Sequence, residues 1–288
     1  MDYQEIEFEV VNNTAWIGIN RPEVRNAFRE QTLDELAAAL DSTRGDPSIA
    51  SAVVYGVGGH FSAGGDFHAM MKLNKSNSGM WNDRMLRVAM VIRNLPIPVI
   101  AMVEGACVGG GHELMLWCDL VITADDAIFG QTGARVGACP TVGATQYIAK
   151  LIGERRAKEM IFLCKRYSGK EAAEIGLANV AVPASDLRAE VEEICHQIVG
   201  YSGQTIRATK VSLNFDSDML YASWQHGMEL LANIWGTEEA TEGMQAFLDG
   251  RQPDFQQFRD RNKAEMDQYL ETLEQDLNQS AKSRQARR

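Results

Sequence analysis

The sequence predicts an α/β fold with parallel strands, and two observations carry that prediction. Strand-like and helix-like segments alternate through roughly the first 185 residues, as they do where strands are joined by crossover helices. Beyond Ala184 the pattern is helix after helix, which adds a helical C-terminal part to the alternating one.

Each element has its own signal. IEFEV alternates and AWIGIN follows it, so two strands are predicted with a turn at Asn12-Asn13. Arg21-Pro22 breaks that pattern. Leu33, Leu36 and Leu40 recur at helical spacing, which predicts an amphipathic helix from about Thr32 to Arg44. Ala52 to Tyr55 is a further strand, with a glycine-rich loop behind it. Residues 80–94 read as a helix with Met85, Val88 and Ile92 on one face. PVIAMVEG is a buried strand by its β-branched content. It runs into Gly109-Gly110-Gly111 and a helix through Trp117, and LVITA is one more strand. Asp125 and Asp126 fit a turn before IFGQ, and from about Asp260 the chain turns polar and ends in SAKSRQARR.

Composition narrows the function. With 288 residues, 45% of them apolar, the chain can bury a sizeable core. A formal net charge of -11 disfavours a broad nucleic-acid footprint, although a local basic pocket for a phosphorylated ligand remains compatible with it. No apolar run approaches the roughly 20 residues of a membrane span. The acidic, alternating N-terminus suits a strand rather than a signal peptide, so a soluble, cytoplasmic protein without membrane or nucleic-acid partners is expected. Cys107, Cys118, Cys139, Cys164 and Cys195 are scattered, with no CxxC pair and no Cys/His cluster at metal-ligand spacing. Reduced, mostly buried thiols and no metal site are expected.

Two glycine-rich segments stand where chemistry is feasible. HFSAGGDF, residues 60–67, closes one strand, and GACVGGGHEL, residues 105–114, carries another strand into a helix. Glycine permits close backbone approach, and a helix N-terminus leaves unpaired N–H groups and a positive dipole end. Two N–H groups converging from separate loops would stabilise an oxyanion. Each loop alone reads equally as a tight strand-to-helix turn. GVGGHF lacks GxGxxG spacing and no GxxxxGK[ST] occurs, so neither segment is a nucleotide-binding fingerprint.

NRPEVRNAF, FSAGGD, the GGG-to-helix turn, CDLVITADDAIFGQ and the later GLANVAVP together resemble, in type and order, the crotonase (enoyl-CoA hydratase/isomerase) superfamily. The resemblance covers residues from about 5 to 255. It implies a spiral of ββα turns followed by a helical trimerisation region, in proteins that assemble as trimers or as hexamers of two trimers. On that reading residues 1–200 are the spiral core and 201–259 the helical oligomerisation region. Residues 260–288 are a polar tail, either a helical extension or disordered.

The resemblance also assigns residues. Gly65 and Gly110 become the backbone oxyanion donors for an acyl-CoA thioester, each worth roughly 3–4 kcal/mol of transition-state stabilisation. Arg25 matches a position that meets the CoA phosphates or adenine, and Ala27, Ala63, Asp66 and Phe67 are expected to line the same channel. No separate cofactor is implied, because CoA is part of the substrate. Hydratases of this family use two glutamates; Glu113 stands at the first position, while Gly133 stands at the second. A glutamate in the first turn of a helix also serves simply to complement the dipole. In an apolar pocket its pKa should rise, which suits general acid/base work.

FGQTGARVG, VRNAFR and RQPDF resemble both 1,4-dihydroxy-2-naphthoyl-CoA synthases and alicyclic ketoacyl-CoA ring hydrolases. The aspartate those synthases carry is replaced here by Pro140, and a C-terminal tyrosine is replaced near Trp235. Glu113, Gln131, Gly133 and the Gly143-Ala144-Thr145 run look most like the 6-oxocyclohex-1-ene-1-carbonyl-CoA hydrolase subgroup. This implies that Glu113 activates water, Gln131 orients the water or a ring ketone, and a ring C–C bond is cleaved. The alternatives are a hydratase or lyase acting with Glu113 alone, a ring-closing synthase, and a non-catalytic acyl-CoA or RNA binder. His112, about 100° around the helix from Glu113, reads as structural. Cys139 lies in the loop that should face the acyl group but has no identifiable base.

Overall fold

The computed structural model describes residues 2–285. β1 (Ile6–Val11) and β2 (Thr14–Ile19) form an antiparallel hairpin. Asn12 and Asn13 take φ 49° and 63°, the paired left-handed conformation of a two-residue hairpin turn. β1 is an edge strand with only Ile6 buried, whereas every residue of β2 is buried between its two neighbours. α1 (Glu30–Ser42) starts two residues before the predicted Thr32, because the Thr32 hydroxyl accepts the Arg29 N–H at 3.1 Å and closes the first turn. Leu33, Leu36 and Leu40 are buried as their spacing predicts, each contributing about 1.5–3 kcal/mol of apolar burial.

β3 (Ser51–Gly56) lies parallel to β2, with Ile17 opposite Val54. A short α2 (Phe67–Met70) and the longer α3 (Ser78–Asn94) follow, and α3 buries Trp81, Met85, Val88 and Ile92 along one stripe. β4 (Val99–Val103) extends the parallel sheet, and β5 (Ala106–Val108) starts a second, smaller one. α4 (Gly110–Trp117) comes next, then β6 (Leu120–Ala124) and β7 (Ile128–Gly130). α5 (Gly133–Val136), α6 (Ala144–Ile152) and α7 (Glu154–Phe162) lead to β8 (Tyr167–Ser168), α8 (Gly169–Glu174) and β9 (Val180–Val182).

The large sheet runs β1-β2-β3-β4-β6-β9, parallel except for the first pair, and the small one runs β5-β7-β8. Successive turns of the chain place β4, β6 and β9 in the large sheet and β5, β7 and β8 in the small one. That is the predicted spiral.

From α9 (Leu187–Val199) the chain is helical: α10 (Gly203–Asp218), α11 (Tyr221–Ala232), α12 (Glu238–Leu248) and α13 (Gln256–Gln285). The polar tail is therefore helical as far as residue 285, and its last three residues, 286–288, lie outside the described residues. Among the described residues no helix is long and apolar enough to cross a membrane.

α10 is clasped to the core through Lys210. Its ammonium donates to Ile92 O at 2.8 Å, Ile97 O at 3.0 Å and Asp119 Oδ2 at 2.6 Å. α11 lies across α3, where the Asn82 amide donates to Met228 O at 3.2 Å. That contact sets Leu231 and Trp235 over the site described next.

Candidate active site

The site begins with a three-ply strap. Phe28 donates to Gly64 O at 2.8 Å and Asp66 donates to Phe28 O at 2.9 Å. On the other side Ser62 donates to Ala106 O at 2.9 Å and Val108 donates to Ser62 O at 3.1 Å. The segment 62–66 is thus laced between the 26–28 segment and β5. Only glycine fits at position 64: φ is 94°, and a Cβ there would stand 2.8 Å from the Gly110 nitrogen. Gly65 and Gly110 both line an open cleft, and neither amide N–H donates to an acceptor among the described residues. Gly110 opens α4, so its free N–H is one of the helix's unpaired donors.

The cleft together with the open solvent at its mouth spans about 600 Å³. Glu113 and Gln131 line it together with the apolar side chains of Trp81, Met85, Leu231 and Trp235. Glu113 is 6% exposed. Its Oε1 accepts the Val142 N–H at 2.8 Å and the Ala144 N–H at 3.3 Å, from the start of α6. Both bonds go to Oε1, and Oε2 accepts none among the described residues while Glu113 lines the cleft. Burial raises the Glu113 pKa and the two amides lower it; burial wins, and the value is about 7. The sequence expectation of a raised pKa holds, but the helix end that binds this carboxyl belongs to α6 rather than to its own α4.

Gln131 is buried, and its Nε2 lies 3.3 Å from Gly109 O and 3.1 Å from His112 Nδ1. Gly133, at the expected place of a second glutamate, admits no side chain: a Cβ would come within 2.5 Å of Ala138 O and 3.3 Å of Pro140 Cδ. The departure at this position is therefore built into the packing.

The remaining expected residues divide. Ala63 and Phe67 line the cleft, and Phe67 packs edge-on against Phe247. Ala27 is buried and Asp66 is bound by Arg21 at 3.0 Å while capping α2; neither lines the cleft. Arg25 is exposed, outside the cleft, in a left-handed conformation with φ 52° and with no ion-pair partner among the described residues. Cys139 and Trp235 line the cleft and His112 does not. Burial, and then the Glu113 charge, push the Cys139 thiol up, which keeps it protonated. The Trp235 indole N–H has no hydrogen-bond partner among the described residues.

Sequence reading missed Phe28, Met70 and Trp81 as cleft residues. Trp81 lies on the same stripe as Met85, a stripe that periodicity identifies only as an inward face. Among the described residues no group of three or more His, Cys, Asp or Glu side chains is placed to hold a metal ion.

A model of the enoyl-CoA hydratase/isomerase family matches residues 9–278. Among solved structures, an enoyl-CoA hydratase/isomerase from Xanthobacter autotrophicus Py2 is 30% identical over 86% of this chain and 95% of its own, with a TM-score of 0.80. An enoyl-CoA hydratase from Mycobacterium avium subsp. paratuberculosis K-10 is 24% identical over 88% of this chain and 99% of its own, with a TM-score of 0.81, a likeness of fold. A methylmalonyl-CoA decarboxylase in complex with 2-nitronate-propionyl-CoA is 26% identical over 88% of this chain and 99% of its own, with a TM-score of 0.78.

Proposed function

Because the chain belongs to the enoyl-CoA hydratase/isomerase family and has its crotonase fold, an acyl-CoA-processing scaffold, we propose that it adds water to a cyclic enoyl- or oxo-acyl-CoA and cleaves a ring C–C bond. One observation carries this reading. Among the described residues a single buried carboxyl, Glu113, lines the cleft, and the packing around Gly133 leaves no room for a second there. A two-carboxylate division of labour is thereby closed to it, and one group must both take and return the proton.

With its pKa near 7, Glu113 suits both tasks. Ionised, it takes a proton from water as the oxygen attacks the β-carbon; the electron pair moves into the thioester, whose enolate oxygen meets the Gly65 and Gly110 N–H groups. Protonated, it returns the proton to the α-carbon. In the cleaving step water adds to a ring ketone next to the α-carbon. The bond between those two carbons breaks, its electron pair again becomes the thioester enolate, and the α-carbon is reprotonated. The product is a single molecule, a ring-opened acyl-CoA that carries the new carboxylate at its far end. Gln131 Oε1, without a hydrogen-bond partner among the described residues, is available to orient the water.

The decarboxylase that resembles this chain holds a nitronate acyl-CoA, an anion delocalised as an enolate is, which fits the same use of the two N–H groups. CoA is taken as part of the substrate, with Arg25 on its nucleotide. Self-association as a trimer or hexamer belongs to the same reading. It is supported by Val211, Leu213, Phe215 and Met219, apolar side chains of α10 and its C-terminal end that are all exposed in the single chain.

The test is mass spectrometry of the enzyme with cyclic and linear acyl-CoAs in ¹⁸O water, beside Glu113→Gln. A ring-opened, ¹⁸O-labelled product that disappears in the variant is expected. A labelled hydroxyacyl-CoA with its ring intact would make this a hydratase and remove the cleavage step.

A further inference from the structure

We infer that Gln131 and His112 form a brace that sets the plane of the Gly109–Gly110 peptide, and thereby positions the Gly110 N–H as oxyanion donor. The inference rests on the reading of Gly110 given above. Its starting point is covalent: the Gly109 carbonyl and the Gly110 N–H belong to one planar peptide unit, so holding the oxygen aims the hydrogen.

That oxygen is held twice. It accepts the Glu113 N–H at 3.1 Å, the first bond of α4, and the Gln131 carboxamide at 3.3 Å. The second bond matters because Gly109 has φ 55° and ψ -125°, a conformation open to glycine and one with no side chain to steer it. Without a brace this peptide could swing about the start of the helix. A hydrogen bond to the carbonyl also polarises the unit and strengthens its N–H as a donor, by about 10–30% per bond.

The chemistry of the brace fixes its own orientation. One carboxamide atom of Gln131 touches both Gly109 O, which can only accept, and His112 Nδ1 at 3.1 Å. That atom must be the nitrogen, with one proton for each partner. His112 Nδ1 must then accept, so the imidazole is neutral and carries its proton on Nε2. The ring is fully buried and sits edge-on to Phe129, with Nε2 unpartnered among the described residues. Burial holds its pKa down to about 3, so the accepting form persists at any ordinary pH. A protonated ring would set N–H against N–H and open the brace. Leaving a buried ring N–H unpaired is costly, and the use of the opposite nitrogen accounts for a histidine here. Gly109 also donates to Gly130 O at 3.0 Å, so the end of β7 and the first turn of α4 are tied on both sides of the peptide.

Two calorimetric affinities test this, measured on the full chain with propionyl-CoA and with 2-nitronate-propionyl-CoA, whose anion stands in for the enolate. The wild-type chain should prefer the nitronate. His112→Leu should reduce that preference about tenfold, with propionyl-CoA affinity changed less than twofold; Gln131→Met should reduce it at least as much, and the double variant should lose no more than Gln131→Met. The ratio is taken on one preparation of each variant, so it does not depend on the fraction folded. His112→Leu leaves Gln131 Oε1 in place, which separates the brace from any contact of that oxygen with substrate. Retention of the full preference in both single variants would overturn the brace. A wild-type chain with no preference would overturn the oxyanion reading itself, and the brace with it.

Discussion

Oε1 of Glu113 lies 2.8 Å from the amide nitrogen of Val142, 29 residues further along the chain. A carboxyl on the first turn of α4 is therefore oriented by the start of α6, which offers it the Ala144 N–H as well. The two amides favour the charged form, and burial disfavours it more strongly. The outcome is a carboxyl near the midpoint of its titration at neutral pH, with one oxygen fixed and the other free to exchange a proton.

Glu113 should impose a pH dependence on both stability and rate. Its folded pKa, about 7, lies above its ordinary 4.5, so between those values the folded chain keeps a proton the unfolded chain has released. Stability should fall as pH rises through that window, by on the order of 3 kcal/mol in all, and level off above it. Urea unfolding between pH 5 and 8 measures the slope, and Glu113→Gln should flatten it. In the proposed hydration, kcat/KM should rise with pH through about 7. The same variant should abolish that limb and lower kcat by about 10²–10⁴-fold. An unchanged pH–rate profile would exclude Glu113 as the base.

Gly133 should reject even a methyl group. A Cβ would stand 2.5 Å from Ala138 O, a backbone atom that can yield only by moving the loop. Gly133→Ala should cost about 1–3 kcal/mol of stability, as overpacking does. Gly133→Glu should not bring in two-carboxylate hydration, because its backbone cannot settle where a second carboxyl would serve. Thermal unfolding and a linear enoyl-CoA hydration assay check both. A stable, faster Gly133→Glu variant would contradict the packing argument.

Much of this was legible in the chain. Alternation marks the hairpin of β1 and β2 and β-branched content marks β4, whereas β9 carries no such signal; the Asn12-Asn13 turn is visible because two adjacent asparagines tolerate left-handed backbone. The small sheet is hidden because its strands are two or three residues long, too short for any period to show. Glu113 is visible, but its partners Val142 and Ala144 are not, since nothing local marks a bond between two helix starts. Asp66 is visible within FSAGGD, but its bond to Arg21, 45 residues away, is not. Contacts of that range are set by topology, which periodicity does not encode.

Lys210 should be a point of failure for the whole helical C-terminal part. Its ammonium is buried against Asp119 and two backbone carbonyls, and Asp119 takes the Val99 N–H at 2.7 Å besides. Lys210→Met would take the ammonium from both carbonyls and from Asp119, leaving that carboxylate the Val99 N–H but no counter-charge on α10, at about 3–5 kcal/mol. Lys210→Met with Asp119→Asn should recover part of that loss by removing the stranded charge. Denaturant unfolding of the three proteins decides it, and equal stability of the wild type and Lys210→Met would show the clasp to be dispensable.

Arg25 should act on the nucleotide end of the substrate and on nothing else. It is exposed, stands outside the cleft and has no ion-pair partner among the described residues, so its charge is free for a phosphate. Its φ of 52° makes alanine a poor probe, because the loss of charge would be mixed with backbone strain. Asparagine tolerates that conformation, and Arg25→Asn removes the charge alone. KM for an acyl-CoA should rise about 5–10-fold, the loss of one exposed charge-assisted hydrogen bond, with kcat little changed. With the same acyl group on pantetheine, which has no nucleotide, the variant and the wild type should be equal. In 1 M salt, where the Debye length falls to about 3 Å, the difference on acyl-CoA should shrink. A loss of equal size on the pantetheine thioester would mean that Arg25 shapes the 25–28 loop beside Gly64 rather than meeting the phosphate.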